Sequence, residues 1–569
     1  MVIEVKMAVC LALLMPLLAA LFPVRGTSFL AAAVTVFLSG FFLLWQAKLE
    51  PVSTLDLYTW LAGDTRQWVL SIAVEELRLT LLFLFNSVAL LLAIYAVGFR
   101  VEVEPRDFSI AALVLLPLQL AALAASEITF LLAWVLLGFA ALWSGAEGDG
   151  WNGVRPVDRL GDGLLVAGMV LLLVDISHGA VFCLLGAIWT RMGHFPFPLE
   201  MFRTDIGRCK GWFFALIGDL ASPFLAFVLF LRYRAVFAAQ AEVLDWGLYV
   251  GLGTGFLAGF AALKVGDVRR SLSMTTAGQM GLVLALMAMG AEASAIFLLA
   301  VHGIAKALAR LAADGLALAA GGKWDRRELG RLRRQLPLFT AIFSLASLFL
   351  ALAPALAFLW IWDGQEAWVL GVWSALTFLY ALQGAAIVVR VFALPALEQT
   401  HAFPAPQQAS DAALVGLAAL ALGVVAALPY SPLNWLSSLR VERAGSLGPL
   451  TFVPLGAGAL GLLLAWLVFR STKKDESVLR PSAWGRCLAE GYYLRDLYAL
   501  GGGKPLLACA NWWRTMSAAL AELVLMEGIA LVLRGVGLLL ALVHNGRVRG
   551  YGVVMLMGIA VLLWGMAKE

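Results

Sequence analysis

The sequence predicts an all-α polytopic membrane protein of about 16 transmembrane helices. Three observations predict it. Of 569 residues, 62% are hydrophobic and only 14% charged, with a mean hydropathy of +0.89, far from the composition of soluble globular chains. Apolar windows long enough to span a bilayer recur along the whole chain. Lysine and arginine gather in every second connection between them.

The windows run at 7–24, 27–46, 79–99, 108–126, 128–144, 160–176, 179–202, 211–231, 244–263, 271–290, 294–320, 337–362, 367–393, 411–429, 449–469 and 551–567. The first has only Lys6 before it and no small-residue cleavage site, so it reads as a retained span. Connections after odd-numbered windows carry Arg25, then Arg100 and Arg106, Arg155 and Arg159, Arg203, Arg208 and Lys210, Lys264, Arg269 and Arg270, a cluster from Lys323 to Arg334, and Lys473 to Arg486. Those after even-numbered windows carry few: Lys48 and Arg66, Arg232 and Arg234, Arg440 and Arg443. Cationic loops stay in the cytoplasm, which places the N-terminus outside. A further apolar run, 518–543, carries Glu522, Glu527 and Arg534 and reads as a helix lying along the cytoplasmic face. No soluble domain is inserted. The longest polar stretches are 47–78 and 470–517.

The seventh window breaks a rule. In WTRMGHFPFPLEMFRTDIGRCK, Trp189 to Lys210, Arg191 and His194 sit at membrane depth and Pro196 and Pro198 interrupt the helix. Backbone freed by proline survives in hydrocarbon only where protein or a cavity satisfies it, and an ionisable group there is a functional candidate. A second proline break is expected at Pro354, five windows on. An odd separation gives opposite orientation, as in inverted repeats. Other membrane-depth ionisable groups are Asp219, the i, i+4 pair His302 and Lys306, and Asp363 with Glu366. Glu127, Asp175 and His178 read as caps at the aqueous edge.

Several classes are excluded. A net charge of +4 without a basic stripe predicts no nucleic-acid partner. The scattered Cys10, Cys183, Cys209, Cys487 and Cys509 form no CxxC pair, so neither a metal site nor a disulfide framework is indicated. No GxSxG, HExxH, P-loop or dinucleotide fingerprint stands in context, and five scattered histidines make no haem pair. No cofactor and no soluble active site are expected.

Several segments carry a resemblance. Cys183 to Phe202 resembles the Lys-Ser-Ala-Gln-x-Pro-Phe-His segment of antiporter-like membrane subunits of respiratory complex I. GDVRRSLSMTTAGQMG (Gly266 to Gly281) and HGIAKAL (His302 to Leu308) resemble two more of that family's segments. LYTWLAGD (Leu57 to Asp64), VDRLGD (Val157 to Asp162), EGYYLRDLY (Glu490 to Tyr498) and NGRVRGYGVVMLMG (Asn545 to Gly558) resemble the L type in particular. Mrp-type antiporter large subunits, membrane-bound hydrogenase subunits and the membrane partner of DAB-type inorganic-carbon uptake complexes share such segments.

The resemblance implies two inverted five-helix repeats, windows four to eight and nine to thirteen, with broken helices seven and twelve and a lateral helix before the last span. The implied parts are 1–107, 108–235, 240–395 and 405–569. Against the family, Val135 follows Trp134 where a glutamate stands, Arg191 replaces a lysine, Gly218 replaces a histidine with Asp219 beside it, and Asp363 lies beside the position of a second lysine. His302 and Lys306 are retained. A buried lysine can release a proton, whereas arginine effectively cannot. The implied function is a proton- or cation-translocating subunit of a multi-subunit energy-converting complex in a bacterial inner membrane, with a degenerate first half-channel. Its partners would be other membrane subunits, among them a further antiporter-like subunit, and the lipid bilayer. One rival reading is the membrane partner of a proton-driven inorganic-carbon uptake complex, with a soluble zinc protein as partner. Another is a scaffold that conducts nothing. The ion path is assigned to Lys306, His302, Arg191, Asp219, Asp363 and His194, with Arg191 paired to a carboxylate, Asp219 first and Glu200 second.

Overall fold

Eleven helices among the described residues are long and apolar enough to cross a membrane. The computed structural model describes residues 2–22, 26–49, 52–62, 67–98, 105–144, 155–197, 211–319, 324–326, 336–359, 367–393, 414–418, 449–470 and 482–494, with single residues and short runs between 512 and 559. The helices are α1 (Val2–Leu21), α2 (Thr27–Leu49), α3 (Glu76–Gly98), α4 (Pro105–Leu123), α5 (Glu127–Ser144), α6 (Arg155–Leu173), α7 (Ser177–Met192), α8 (Gly211–Arg232), α9 (Ala241–Lys264), α10 (Val268–Ala288), α11 (Glu292–Ala319), α12 (Pro337–Phe358), α13 (Ala367–Ala393), α14 (Val453–Phe469) and the short α15 (Ala483–Ala489). The first thirteen predicted windows each contain a helix. The span at 551–567 and the lateral run 518–543 fall mostly outside the described residues.

Contacts group the chain into Met1–Tyr498 and Ala499–Glu569. Within the first unit, α11 is buried along its whole apolar length, and α8 and α10 nearly so. Asp219, Lys306 and Arg310, within these buried lengths, face protein. In the second unit, the described residues at 533–535 and 555–559 are helical.

One element is added to the helical frame. The stretch after α2 forms an antiparallel hairpin, β1 (Val52–Ala62) with β2 (Gln67–Val74), paired from Val52↔Val74 to Ala62↔Gln67 with register shifts between Val52 and Leu55, Asp56 and Tyr58, and Thr59 and Leu61. The end of β2 is buried on both faces, Ser71 to Val74, so no polar–apolar alternation marks it in the sequence. Its Ser71 carbonyl accepts from Ala125 N at 3.0 Å and from Thr129 Oγ1 at 2.9 Å, docking the hairpin on the α4–α5 turn. The carbonyls at the end of α4 lack helical donors. Arg78 Nη1 donates to the Ala124 carbonyl at 2.8 Å, and Arg232 donates to Ala124 and Ala125 while pairing with the exposed Glu127 at 3.0 Å.

Small residues set how closely α9 and α10 cross, as is usual between membrane helices. A Cβ on Gly251 would lie 2.4 Å from the Gly281 carbonyl oxygen, and the reverse holds equally. Asp267 caps α10, accepting from Arg269 N at 2.8 Å and Arg270 N at 3.2 Å.

The two proline sites differ. Helix α7 ends at Met192, and Gly193 takes a left-handed cap at φ 73°, with His194 N donating to the Trp189 carbonyl. That is a glycine C-cap followed by a proline that cannot continue the helix, and Pro196 stands where the sequence placed the break. Pro198 lies outside the described residues. At Pro354 the expected break is corrected, since α12 runs through it to Phe358. A proline lacks the N–H that would serve the carbonyl four residues back, here Leu350. Gln279 Nε2 supplies that donor from α10, and Trp373 Nε1 donates to the Pro354 carbonyl at 2.7 Å. Donors from neighbouring helices keep the turn intact.

Candidate ion-path site

Helix α11 carries four polar groups at intervals of four residues: His302, Lys306, Arg310 and Asp314. That spacing puts them on one face, over about 18 Å of helix. The first three are buried. Their partners come from α8 and α10.

The upper end is fixed by the Pro354 turn. Because Gln279 Nε2 donates to the Leu350 carbonyl, Gln279 Oε1 is left to accept. His302 Nδ1 lies 2.6 Å from that oxygen and therefore carries the hydrogen. In a neutral imidazole the other nitrogen then presents a lone pair. This Nε2 is buried with no hydrogen-bond partner among the described residues. A missing proline N–H thus sets a histidine tautomer two helices away.

Below it, Lys306 Nζ donates to the Leu272 carbonyl. Thr276 Oγ1 lies 3.3 Å from the same carbonyl and 2.8 Å from Asp219 Oδ1. Asp219 sits on a π-helical stretch of α8, Ala215–Ala221, a widened turn of the kind frequent at functional sites. Arg310 donates through Nε to Asp219 Oδ2 and through Nη2 to Oδ1 at 3.2 Å, a two-point clamp. Its guanidinium also lies 5.3 Å from the Phe214 ring centre. Asp314 closes the stripe by accepting from Gly211 N at the start of α8.

Arg191 stands apart, and its expected pairing is corrected. Its partner is Asp162 of α6 at 3.7 Å, not Asp219. Its Nη2 donates to the Trp134 carbonyl at 2.8 Å, and its guanidinium lies 4.4 Å over the Trp134 ring, a cation–π contact. Trp134 Nε1 in turn donates to Asp162 Oδ1 at 2.9 Å. Gly161 permits this closeness of α6 and α7, because a Cβ there would meet Thr190 Oγ1 at 2.1 Å. The sequence pointed to Asp219 because it is the membrane-depth carboxylate one window on. Its real partner, Arg310, lies 91 residues away. Glu200 lies outside the described residues.

His194, at the α7 break, docks on α10 through Nε2, 2.9 Å from the Met280 carbonyl. Phe195 N donates to Thr254 Oγ1 at 2.9 Å. Phe195 packs edge-on against Tyr492, whose hydroxyl donates to the Leu257 carbonyl at 2.8 Å. Burial pushes the Tyr492 phenol up to about 12, so it stays a donor. The EGYY turn around it has Gly491, Tyr492 and Tyr493 all in the left-handed region.

Of the sequence-predicted residues, Lys306, His302 and Asp219 come together. Arg191 does not join them, and His194 meets α10 through the Met280 carbonyl. Asp363 and Glu366 lie outside the described residues. Arg310, Asp314, Gln279, Thr276 and Asp162 were missed as site residues. Extending the His302–Lys306 interval by two more steps finds Arg310 and Asp314. The VDRLGD segment contained Asp162 without naming its partner.

Known proteins resemble the chain in sequence and fold. Residues 212–392, α8 to α13, match the family model for the transmembrane region of NADH:quinone oxidoreductase and the Mrp antiporter. The chain is 26% identical to NADH-quinone oxidoreductase subunit L of Escherichia coli (strain K12), over 95% of this chain and 93% of that one. Its fold resembles a chain of the membrane-bound sulfane sulfur reductase, an archaeal respiratory membrane complex, with TM-score 0.65 at 16% identity, covering 98% of this chain and all of that one. It likewise resembles a chain of the Mrp complex from Dietzia sp. DQ12-45-1b, with TM-score 0.63 at 16% identity, covering 93% of this chain and 63% of that one. The chain thus resembles the antiporter-like membrane subunits of NADH:quinone oxidoreductase and the Mrp antiporter.

Proposed function

We propose that this chain is a proton- or cation-translocating subunit of a multi-subunit energy-converting complex, set in a bacterial inner membrane with its N-terminus outside. The ion path runs along α11, between α8, α10 and α12. One observation carries the reading: a buried lysine stands one helical turn from a histidine whose Nε2 lone pair is held ready by Gln279. Lysine and histidine both exchange protons when buried, and neighbouring groups decide which holds one. A proton leaving the Lys306 ammonium gives an amine, and one arriving at His302 Nε2 gives an imidazolium whose Nδ1–H stays on Gln279.

The first half reads as degenerate. Arg191 cannot give up its proton, and a carbonyl, an indole face and a carboxylate hold it in place. Two inverted five-helix repeats, α4–α8 and α9–α13, would put the working half in the second. The odd-numbered, cation-rich connections support the orientation.

The test is Lys306→Ala and Lys306→Met in the assembled membrane complex. Ion-linked activity is expected to vanish while the complex still assembles. Wild-type transport in both variants would leave the non-conducting scaffold as the better reading.

A further inference from the structure

Asp219 is the one acidic side chain among the described residues that is buried. Both its oxygens are occupied by donors, Oδ2 by Arg310 Nε and Oδ1 by Arg310 Nη2 and Thr276 Oγ1. Two cations, Lys306 and Arg310, stand one turn apart on α11 beside this single carboxylate, and the guanidinium holds it. Lys306 turns to the Leu272 carbonyl instead.

This matters differently for different ions. A bare metal cation exchanges its hydration shell for several oxygen ligands, carboxylate foremost. Here the carboxylate already accepts three hydrogen bonds, and the fixed charge clamping it repels any arriving cation strongly in a medium of low dielectric. The guanidinium cannot withdraw by losing its proton. No three His, Cys, Asp or Glu side chains converge elsewhere among the described residues. A proton needs no shell. It moves between lone pairs, and those of His302 Nε2 and a neutral Lys306 lie on the same face as Arg310.

Resting on the ion-path reading above, we propose that Arg310 is a selectivity residue. By saturating Asp219 it denies sodium-like cations the buried carboxylate beside Lys306, so the path passes protons and refuses metal ions. Arg310 does not relay a proton itself.

The experiment uses the membrane complex containing the full chain, reconstituted in vesicles of phosphatidylethanolamine and phosphatidylglycerol. A trapped pH dye reads proton movement and radioactive sodium reads metal-ion uptake. The wild type is expected to move protons in a Lys306-dependent way and to take up no sodium. Arg310→Gln frees Asp219 and is expected to raise sodium uptake about tenfold or more above background. The double variant Asp219→Asn with Arg310→Gln removes the carboxylate as well and should refuse sodium again. If Arg310→Gln fails to assemble, Arg310→Lys, a single-point donor that releases one carboxylate oxygen, takes its place and should admit sodium to a lesser degree. Lys306-dependent sodium uptake by the wild type would overturn the selectivity role while leaving the transport function standing. Sodium-tight Arg310 variants that still move protons would overturn it too. A wild type that moves neither ion would remove the transport function, and this inference with it.

Discussion

Two of the buried cation sites among the described residues share a sequence cue, an ionisable group at membrane depth, and are opposite in kind. At the first, Arg191 meets one partly exposed carboxylate, one carbonyl and one indole face across α5, α6 and α7. At the second, Lys306 and Arg310 share α11 with a histidine, and α8 and α10 add Asp219, Thr276 and Gln279. Every donor in the first set is permanent. The second contains three groups that gain or lose protons in proteins, two of them, Lys306 and Asp219, linked through the Leu272 carbonyl and Thr276. A buried charge is therefore not in itself a sign of conduction. What separates a strut from a path is whether the neighbours can exchange what the charge carries.

The largest expected effect tests the second site. Asp219→Asn leaves the Arg310 guanidinium buried without its carboxylate, and breaking a buried pair from one side costs about 3–5 kcal/mol. Asp219→Asn with Arg310→Gln should recover most of that, because neither buried charge remains. Thermal unfolding of the purified complex in detergent, read as a double-mutant cycle, gives the coupling. Additive losses would mean the two residues are independent, and the second site would then resemble the first.

How far was this legible beforehand? The helices were, because each apolar window must close its own backbone hydrogen bonds in lipid. His302 and Lys306 were, because i, i+4 spacing is a local property. The partners were not. Asp219 reaches Arg310 across 91 residues of chain, and nothing local distinguishes it from Asp162 as a mate for Arg191. The π-helical widening at Asp219 left no visible mark in ALIGDLA. Pro354 looked equivalent to Pro196, but the difference lies in Gln279, which sits 71 residues from the carbonyl it serves. The hairpin was hidden because the end of β2 is buried on both faces.

The next effect sharpens why the second site is poised. Gln279→Leu strips the Leu350 carbonyl and His302 Nδ1 of their partner together, and each unsatisfied buried group costs about 1–3 kcal/mol. With Pro354→Ala present, α12 supplies its own N–H to Leu350, so the cost of Gln279→Leu should fall by about one such group. Transport should drop in both backgrounds, since His302 loses the acceptor that fixes its tautomer. A Gln279→Leu penalty unchanged by Pro354→Ala, measured by unfolding, would disconnect the proline from the histidine.

The smallest effect tests the first site. Asp162 lies 3.7 Å from Arg191, and its side chain is 20% exposed, so solvent already screens much of their attraction. In Asp162→Asn the side-chain oxygen can still accept from Trp134 Nε1, and Arg191 keeps the Trp134 carbonyl and ring. The expected loss is about 1 kcal/mol, the scale of one ordinary hydrogen bond, with transport unchanged. A glutamate restored at position 135 would not rebuild a pair, because Val135 is 51% exposed on the outer side of α5 while its neighbour Trp134 is the residue turned to Arg191. Both variants are read by unfolding and by proton uptake in vesicles. If Asp162→Asn assembles fully yet stops proton uptake, then Arg191 and Asp162 belong to the path. The contrast between a fixed strut and an exchanging stripe would then be lost, and the first half would have to conduct by moving its carboxylate rather than its cation.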